Sequence, residues 1–192
     1  YSLVKVTSDD DAKAKIREAV VNDALTWTDV SNNAIQVNPT DEGYYIVVVK
    51  AKDNVGNEAL YASNGFVLDV TNPTISVTNL PDLSKIHYGG ISYTVDVLDP
   101  VSNGVATGIA KVDVVVKNNG KPVPAEAGRK KSFTITANDL YGKEDLETFS
   151  DMDMAKVAKQ FEGQIDVDGN NISLEITAYD KAGNKVTAKE IT

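Results

Sequence analysis

Two pairs of hard oxygen donors stand at the same spacing in this chain, Asp53 with Asn57 and Asp180 with Asn184. Carboxylate and amide oxygens are what calcium takes as ligands, so each pair could contribute to a cation site. The residues between them favour another reading. In Asp53-Asn-Val-Gly56-Asn57 and Asp180-Lys-Ala-Gly183-Asn184 the glycine suits positive φ, the asparagine tolerates the left-handed region, and the aspartate can cap a turn by accepting N–H groups. Both motifs are therefore expected to be turns without metal or cofactor, with calcium at those four residues as the alternative. Asp166-Val-Asp168-Gly169-Asn170-Asn171 is also acidic. It fails the calcium-loop pattern, which needs a glycine where Asn171 stands and a bidentate glutamate further on.

Nucleophilic catalysis has little to draw on. Cysteine is absent, and the only histidine, His87, sits in the turn-like Lys85-Ile-His-Tyr-Gly-Gly90 with no serine or carboxylate at a triad spacing. No two of the 28 acidic residues are singled out as a glycosidase pair. Trp27 is expected to pack between sheets. The expectation is a protein that is not an enzyme. A formal charge of −9 argues against nucleic acid, which needs a basic stripe, and the Arg129-Lys130-Lys131 cluster reads as a solvated loop. No apolar run approaches the roughly 20 residues that cross a bilayer, so no membrane insertion is expected in this segment, and no signal peptide opens it.

These turns must be held by strands, and the chain repeats the arrangement. Asp41-Glu-Gly-Tyr-Tyr45 through Asn57 aligns without a gap on Asp168-Gly-Asn-Asn-Ile172 through Asn184. Each copy describes a long strand, a tight turn and a second strand. Tyr45, Val47, Val49 and Ala51 alternate with Ile46, Val48, Lys50 and Lys52, and Ile172, Leu174, Ile176 and Ala178 alternate with Ser173, Glu175, Thr177 and Tyr179. One face of each goes to a core. The match extends backwards: Ala14 to Asp23 resembles Ala110 to Asn119, with period-two segments before each at Leu3 to Thr7 and Ser92 to Leu98. Ile16, Ala19, Val20 and Asp23 lie at helical spacing, but the β-branched Val112 to Val116 of the second copy leads us to expect strands in both.

Thr71-Asn72-Pro73 breaks pairing after Phe66 to Val70, so the domains are expected at 1–71 and 72–192, joined by a short linker that limits their angle. The second begins with a strand at Pro73 to Thr78. The first lacks its counterpart, called strand A here, either because the segment is cut there or because a neighbouring chain adds that strand at an open edge. The second domain also carries an insertion at about 139–165. Ser150 suits an N-cap, and Met154, Val157, Ala158 and Phe161 form a stripe that predicts a short helix from about Asp151 to Phe161. Loops on a rigid scaffold often bind, and Leu140, Tyr141 and Phe149 could present apolar area to a host protein or glycan. The alternative is that the insertion plugs one end of the domain.

The Ala-x-Asp-x-x-Gly-Asn signature at Ala51 to Asn57 and Ala178 to Asn184, with the junction Asp69-Val-Thr-Asn-Pro-Thr-Ile75, resembles bacterial immunoglobulin-like repeats of cell-surface proteins and adhesins. Asp41 to Tyr45 is similar to the tyrosine corner of that fold, with Ile172 in place of the tyrosine in the second copy. The resemblance implies an all-β chain of two tandem immunoglobulin-like β-sandwiches, the second with a short helical insertion. It implies a non-catalytic stalk or spacer, placed outside the cell at a bacterial cell wall or secreted, with neighbouring immunoglobulin-like domains of the same chain as its contacts. Freedom from cysteine agrees with an exported Gram-positive protein. The alternative function is a ligand-binding accessory module using the second domain's insertion, as in secreted glycosidases. Some stalk domains of this kind carry a lysine-to-asparagine isopeptide bond, for which Lys5, Lys50 and Lys111 are the candidates.

Overall fold

Runs of valine, isoleucine, threonine and tyrosine at period two place the chain in antiparallel sheets, with short helices at the breaks. In this computed structural model the described residues are all except 23, 31–33, 84, 86–89, 143–157, 170 and 192. They divide into two compact units, one of Tyr1–Asp69 with Ser102–Val105, the other of Val70–Val101 with Ala106–Thr192. Among the described residues no helix is long and apolar enough to cross a membrane.

The first unit holds β1 (Ser2–Val6), α1 (Asp9–Asn22), β2 (Gly43–Lys52), β3 (Glu58–Ala62) and β4 (Phe66–Leu68). β2 is the central strand, with β1 along one edge and β3 and then β4 along the other, all antiparallel. Val4, Val6, Ile46 and Val48 form its core, covered by Ala12 and Ile16 of α1, by Leu25 and Trp27, and by Leu60 and Ala62 of β3.

α1 corrects the strand expected over Asp11 to Ala24. Ala12, Lys13, Ala14, Lys15, Arg17 and Glu18 are good helix formers, whereas Val112 to Val116 pack poorly on a helix. The start is built locally. Ser8 Oγ accepts the Asp11 N–H at 3.1 Å, Asp11 Oδ2 accepts the Thr7 N–H at 2.8 Å, and Lys15 pairs with Asp11 one turn on at 3.0 Å. Both Lys15 and Thr7 hold the Asp11 carboxyl below the usual aspartate range.

The second unit is built of two sheets. β5 (Thr74–Thr78), β6 (Ile91–Leu98) and β10 (Lys159–Ile165) form one, with β6 in the middle. The other contains β7 (Ile109–Asn118), β11 (Ile172–Asp180) and β12 (Lys185–Ile191), with β8 (Lys121–Pro122) and β9 (Phe133–Thr136) also paired to β7. Both sheets contribute to one core: Tyr93, Val95, Val97, Phe161 and Ile165 from the first meet Val112, Val114, Ile135, Leu174 and Ile176 from the second. The all-β expectation holds at the level of antiparallel sheets. Phe161 corrects the helix predicted to end there, since it is a buried residue of β10, paired with Val95 of β6; 151–157 lie outside the described residues. The Lys159–Ile165 stretch alternates buried and exposed residues, a period that the helical stripe ignored.

The hairpins repeat as expected, but the elements before them do not. β1 pairs with β2 as β7 pairs with β11: Leu3 faces Val47, and Val116 faces Leu174 at the matching place. β1 is thus the counterpart of β7, not of β6 as the alignment of Leu3 to Thr7 with Ser92 to Leu98 had it. Among the described residues the first unit has no counterpart to the β5–β6–β10 sheet, a larger gap than the single strand A that was expected to be missing.

Candidate functional site

The repeated turn is the most regular polar feature of each unit. Asp53 accepts the N–H of Val55 (2.9 Å) and Asn57 (2.8 Å) on Oδ1 and the Asn57 amide (2.7 Å) on Oδ2. Asp180 accepts the Asn184 N–H (2.8 Å) on Oδ1 and the Asn184 amide (2.8 Å) on Oδ2. The chain closes on itself in the same way in both, from Asp53 N–H to Asn57 O and from Asp180 N–H to Asn184 O, each at 3.0 Å. Gly56 and Gly183 stand at φ 99° and 96°, where a side chain would be strained. The asparagine amide and backbone N–H groups hold the Asp53 carboxyl below its ordinary range. In both turns, Asn57 and Asn184 serve as donors to the carboxylates. Because each asparagine turns its amide N–H to the carboxylate, the aspartate and asparagine oxygens of a turn do not converge as a pair of cation ligands.

Asp180 has a neighbour that sequence reasoning passed over. Asp99, at the end of β6, is buried, as is Asp180, and their carboxylates present oxygens within 4.8 Å of each other. Two oxygens at that separation can both reach a hard cation at about 2.3–2.6 Å, so these are the side chains of the second unit best placed to hold one. They also do structural work that needs no ion. Asp99 Oδ2 accepts the N–H of Thr107 (2.9 Å) and Gly108 (2.6 Å), fixing the connection from β6 to β7. Lys181 N–H then donates to Gly108 O (3.0 Å) and Ala182 N–H to Thr107 Oγ1 (3.3 Å), tying that connection to the β11–β12 turn. The signal that could have found Asp99 is its place directly before Pro100, where a strand ends.

Of the residues expected to present an apolar binding surface, Tyr141 and Leu140 lie on α2 (Ala137–Tyr141). Thr136 and Asp139 cap this turn reciprocally, Thr136 N–H donating to Asp139 Oδ2 at 3.1 Å. The cap aims Tyr141 inward: its ring is buried in the core, and its hydroxyl accepts the Ile109 N–H at 3.0 Å. Leu140 packs against the same core, half-buried. Tyr141 therefore offers no exposed aromatic face, and the reason is the start of β7, whose first N–H needs a partner. Phe149 and His87 lie outside the described residues.

The candidate lysines are each engaged elsewhere. The Lys5 ammonium donates to Glu42 O, Lys50 sits over the Trp27 ring at 4.6 Å, and Lys111 pairs with Asp113 at 2.7 Å beside the Tyr179 ring. The first unit also has a cavity of about 540 Å³ lined by Ser2 to Lys5 of β1, Leu25, Thr26 and Gln36 to Asn38. It lies along the outer edge of β1. That edge is closed at one end by Thr28, which exchanges two backbone hydrogen bonds with Tyr1, and at the other by Lys15, whose ammonium donates to Lys5 O at 2.7 Å. Tyr45, at the expected tyrosine corner, does bond back to the chain, its hydroxyl donating to Asp41 O at 2.5 Å.

No family model, no curated protein and no solved structure matches this chain.

Proposed function

We propose that the chain is a non-catalytic spacer: two tandem immunoglobulin-like domains from the stalk of a bacterial cell-surface, adhesin-like protein. The observation that carries this reading is the repeated hairpin, in which Asp53–Asn57 and Asp180–Asn184 close the same turn with the same hydrogen bonds at the head of two separate units. Repetition of the same hairpin in two units fits a part that supplies length, whereas a catalytic or recognition site needs only one copy. The tyrosine corner at Tyr45 and the two sheets around one core in the second unit are what an immunoglobulin-like sandwich requires. A net charge of −9 suits a solvated extracellular stalk. The accessory-module reading is weaker, because Tyr141 is spent on the core.

The test is mechanical. A spacer pulled from its two termini should unfold as two separate events, and residues 72–192 should bind neither glycans nor matrix proteins. Saturable binding by the intact chain, lost when 143–157 is replaced by a short polar turn that leaves the protein folded, would replace the spacer with a recognition module.

A further inference from the structure

The sheet of the first unit has two apolar faces and, among the described residues, a core on only one of them. Tyr44, Ile46 and Val48 of β2 point to the side that α1 covers. On the opposite side Val47 and Val49 stand beside Leu3 of β1 and Tyr61 of β3, their direct cross-strand partners, with Phe66 stacked on Tyr45 at 5.7 Å. None of Leu3, Val47, Val49, Tyr61 and Phe66 belongs to a hydrophobic core; Tyr61 is 73% exposed, Leu3, Val47, Val49 and Phe66 are half-buried, and Tyr45 is buried beside Phe66. In a chain with 28 acidic residues this face carries none along β1, β2 and β3; its one charge is Lys5, beside the Tyr45 ring. Tyr44 to Val49 is an unbroken apolar run, the pattern of a strand buried on both faces.

The internal repeat shows what such a face is built to meet. Val47 and Val49 are the counterparts of Leu174 and Ile176, and β1 is the counterpart of β7. In the second unit Leu174 and Ile176 are fully buried beneath Tyr93, Val95 and Val97 of β6, with Ile75 and Val77 of β5 packed on the same core. β5 and β6 are paired with each other and precede β7 in the chain.

We infer that the Leu3–Val47–Val49–Tyr61 face is a docking surface for a β-hairpin of the β5–β6 kind, which lays an alternating valine, isoleucine and tyrosine face on it and completes the unit as a two-layered domain. Sheets packed this way sit about 10 Å apart with their inward side chains interlocked, so the occupant must be apolar at every second residue. Without it the first unit is a sheet with one core; with it, Val47 and Val49 become as buried as Leu174 and Ile176. This holds whether or not the chain is a spacer, since it concerns how one unit is completed and not what the whole protein reaches.

A graft tests it. Ser2 stands in β1 where Val115 stands in β7, and Tyr1, directly before β1, takes the place of Val114, so a copy of residues 73–113 joined directly ahead of Tyr1 of the full chain supplies the hairpin in register. The readout is paramagnetic solvent relaxation of the Val47 and Val49 methyls, with Ile176 as the buried standard and Trp27 fluorescence as the check that the first unit is folded. The expected result is that the graft lowers relaxation of both half-buried valines to the Ile176 level, and that the same graft with Val95→Asp and Val97→Asp leaves them at the level of the ungrafted chain. The ungrafted chain should sediment as a monomer at all concentrations and tolerate Val49→Lys without change in its Trp27 transition. Relaxation of both valines unchanged from the ungrafted chain, in a folded graft, would overturn the inference. So would a concentration-dependent dimer of the ungrafted chain that Val49→Lys abolishes, since the occupant would then be a second copy of the chain.

Discussion

The hairpins β2–β3 and β11–β12 share a turn and a sequence pattern, yet they turn opposite faces to their cores. Val49 and Ile176 are counterparts, as are Val48 and Glu175; Ile176 is buried and Val49 is not, while Val48 is buried and Glu175 is not. The turn chemistry therefore builds a hairpin without choosing its inner face. In β11 the choice is written in the strand itself, because Ser173, Glu175 and Thr177 cannot line an apolar core cheaply while Ile172, Leu174 and Ile176 can. In β2 both faces are apolar, so the choice passes to whatever packs on the strand, and α1 makes it.

The largest effects should follow that inversion. Ile176→Ala should cost the second unit about 2–5 kcal/mol, whereas Val49→Ala, at the counterpart position, should cost the first unit under about 1 kcal/mol. The reverse pair sharpens it: Val48→Ala should destabilise by about 2 kcal/mol and Glu175→Ala by less than about 0.5 kcal/mol. Urea unfolding resolves the two, because Trp27, the only tryptophan, reports the first unit while circular dichroism reports both. Equal costs at Val49 and Ile176 would mean that the face of the first unit is already covered.

Next in size is the contrast between α1 and β7, whose sequences look alike at Ala14-Lys15-Ile16 and Ala110-Lys111-Val112. Ile16→Pro should cost about 3 kcal/mol, because it breaks a helix interior and takes Ile16 off the core. The Trp27 transition should move to lower urea. No shift would mean that α1 contributes little to holding Trp27.

That contrast also shows what could be read in advance. The strand-turn-strand repeat, the aspartate-capped turns and the backbone bond of Tyr45 all depend on residues within a few places of one another, and those were legible. The match of Ala14 to Asp23 with the β-branched segment Ala110 to Asn119 points to a strand, but the alanines, lysines and Ser8 cap of the segment itself decide for α1. For Tyr141 the sequence leaves an outward binding face and a plug of the domain both open, because nothing nearby announces the Ile109 N–H that its hydroxyl satisfies. Asp99 and Asp180 come together only once two connections are folded against each other, and such pairs leave no local pattern.

Two tyrosines give a smaller, opposed pair. The Tyr45 hydroxyl donates to Asp41 O, so Tyr45→Phe should lose about 1 kcal/mol from the first unit. Tyr93 is 1% exposed and its hydroxyl has no hydrogen-bond partner among the described residues; burial pushes its ionisation far above the ordinary tyrosine range. Tyr93→Phe should therefore stabilise the second unit by about 1 kcal/mol, read from the circular dichroism midpoint. The ring itself must stay, because it lies over Gly163, its cross-strand partner, where any Cβ would overlap it.

The smallest effect concerns the shared turn and is best seen by pH. Asn57, through its side-chain amide and its N–H, with Val55 adding a further N–H, lowers the Asp53 carboxyl below the ordinary aspartate range. A carboxylate whose folded value is depressed stabilises the native state fully above the unfolded value, and that contribution is lost as pH falls through the folded one. Stability of the first unit should thus fall from about pH 4 downward. Asp53→Asn keeps the side-chain shape but cannot be protonated in this range. It should lower stability at pH 7 and flatten the acid limb of the Trp27 urea midpoint. Flattening should be partial, because the Asp11 carboxyl of α1, held down by Lys15 and Thr7, titrates in the same direction. An acid limb with the same slope in Asp53→Asn as in the parent would assign the loss to α1 and leave the turn as geometry alone.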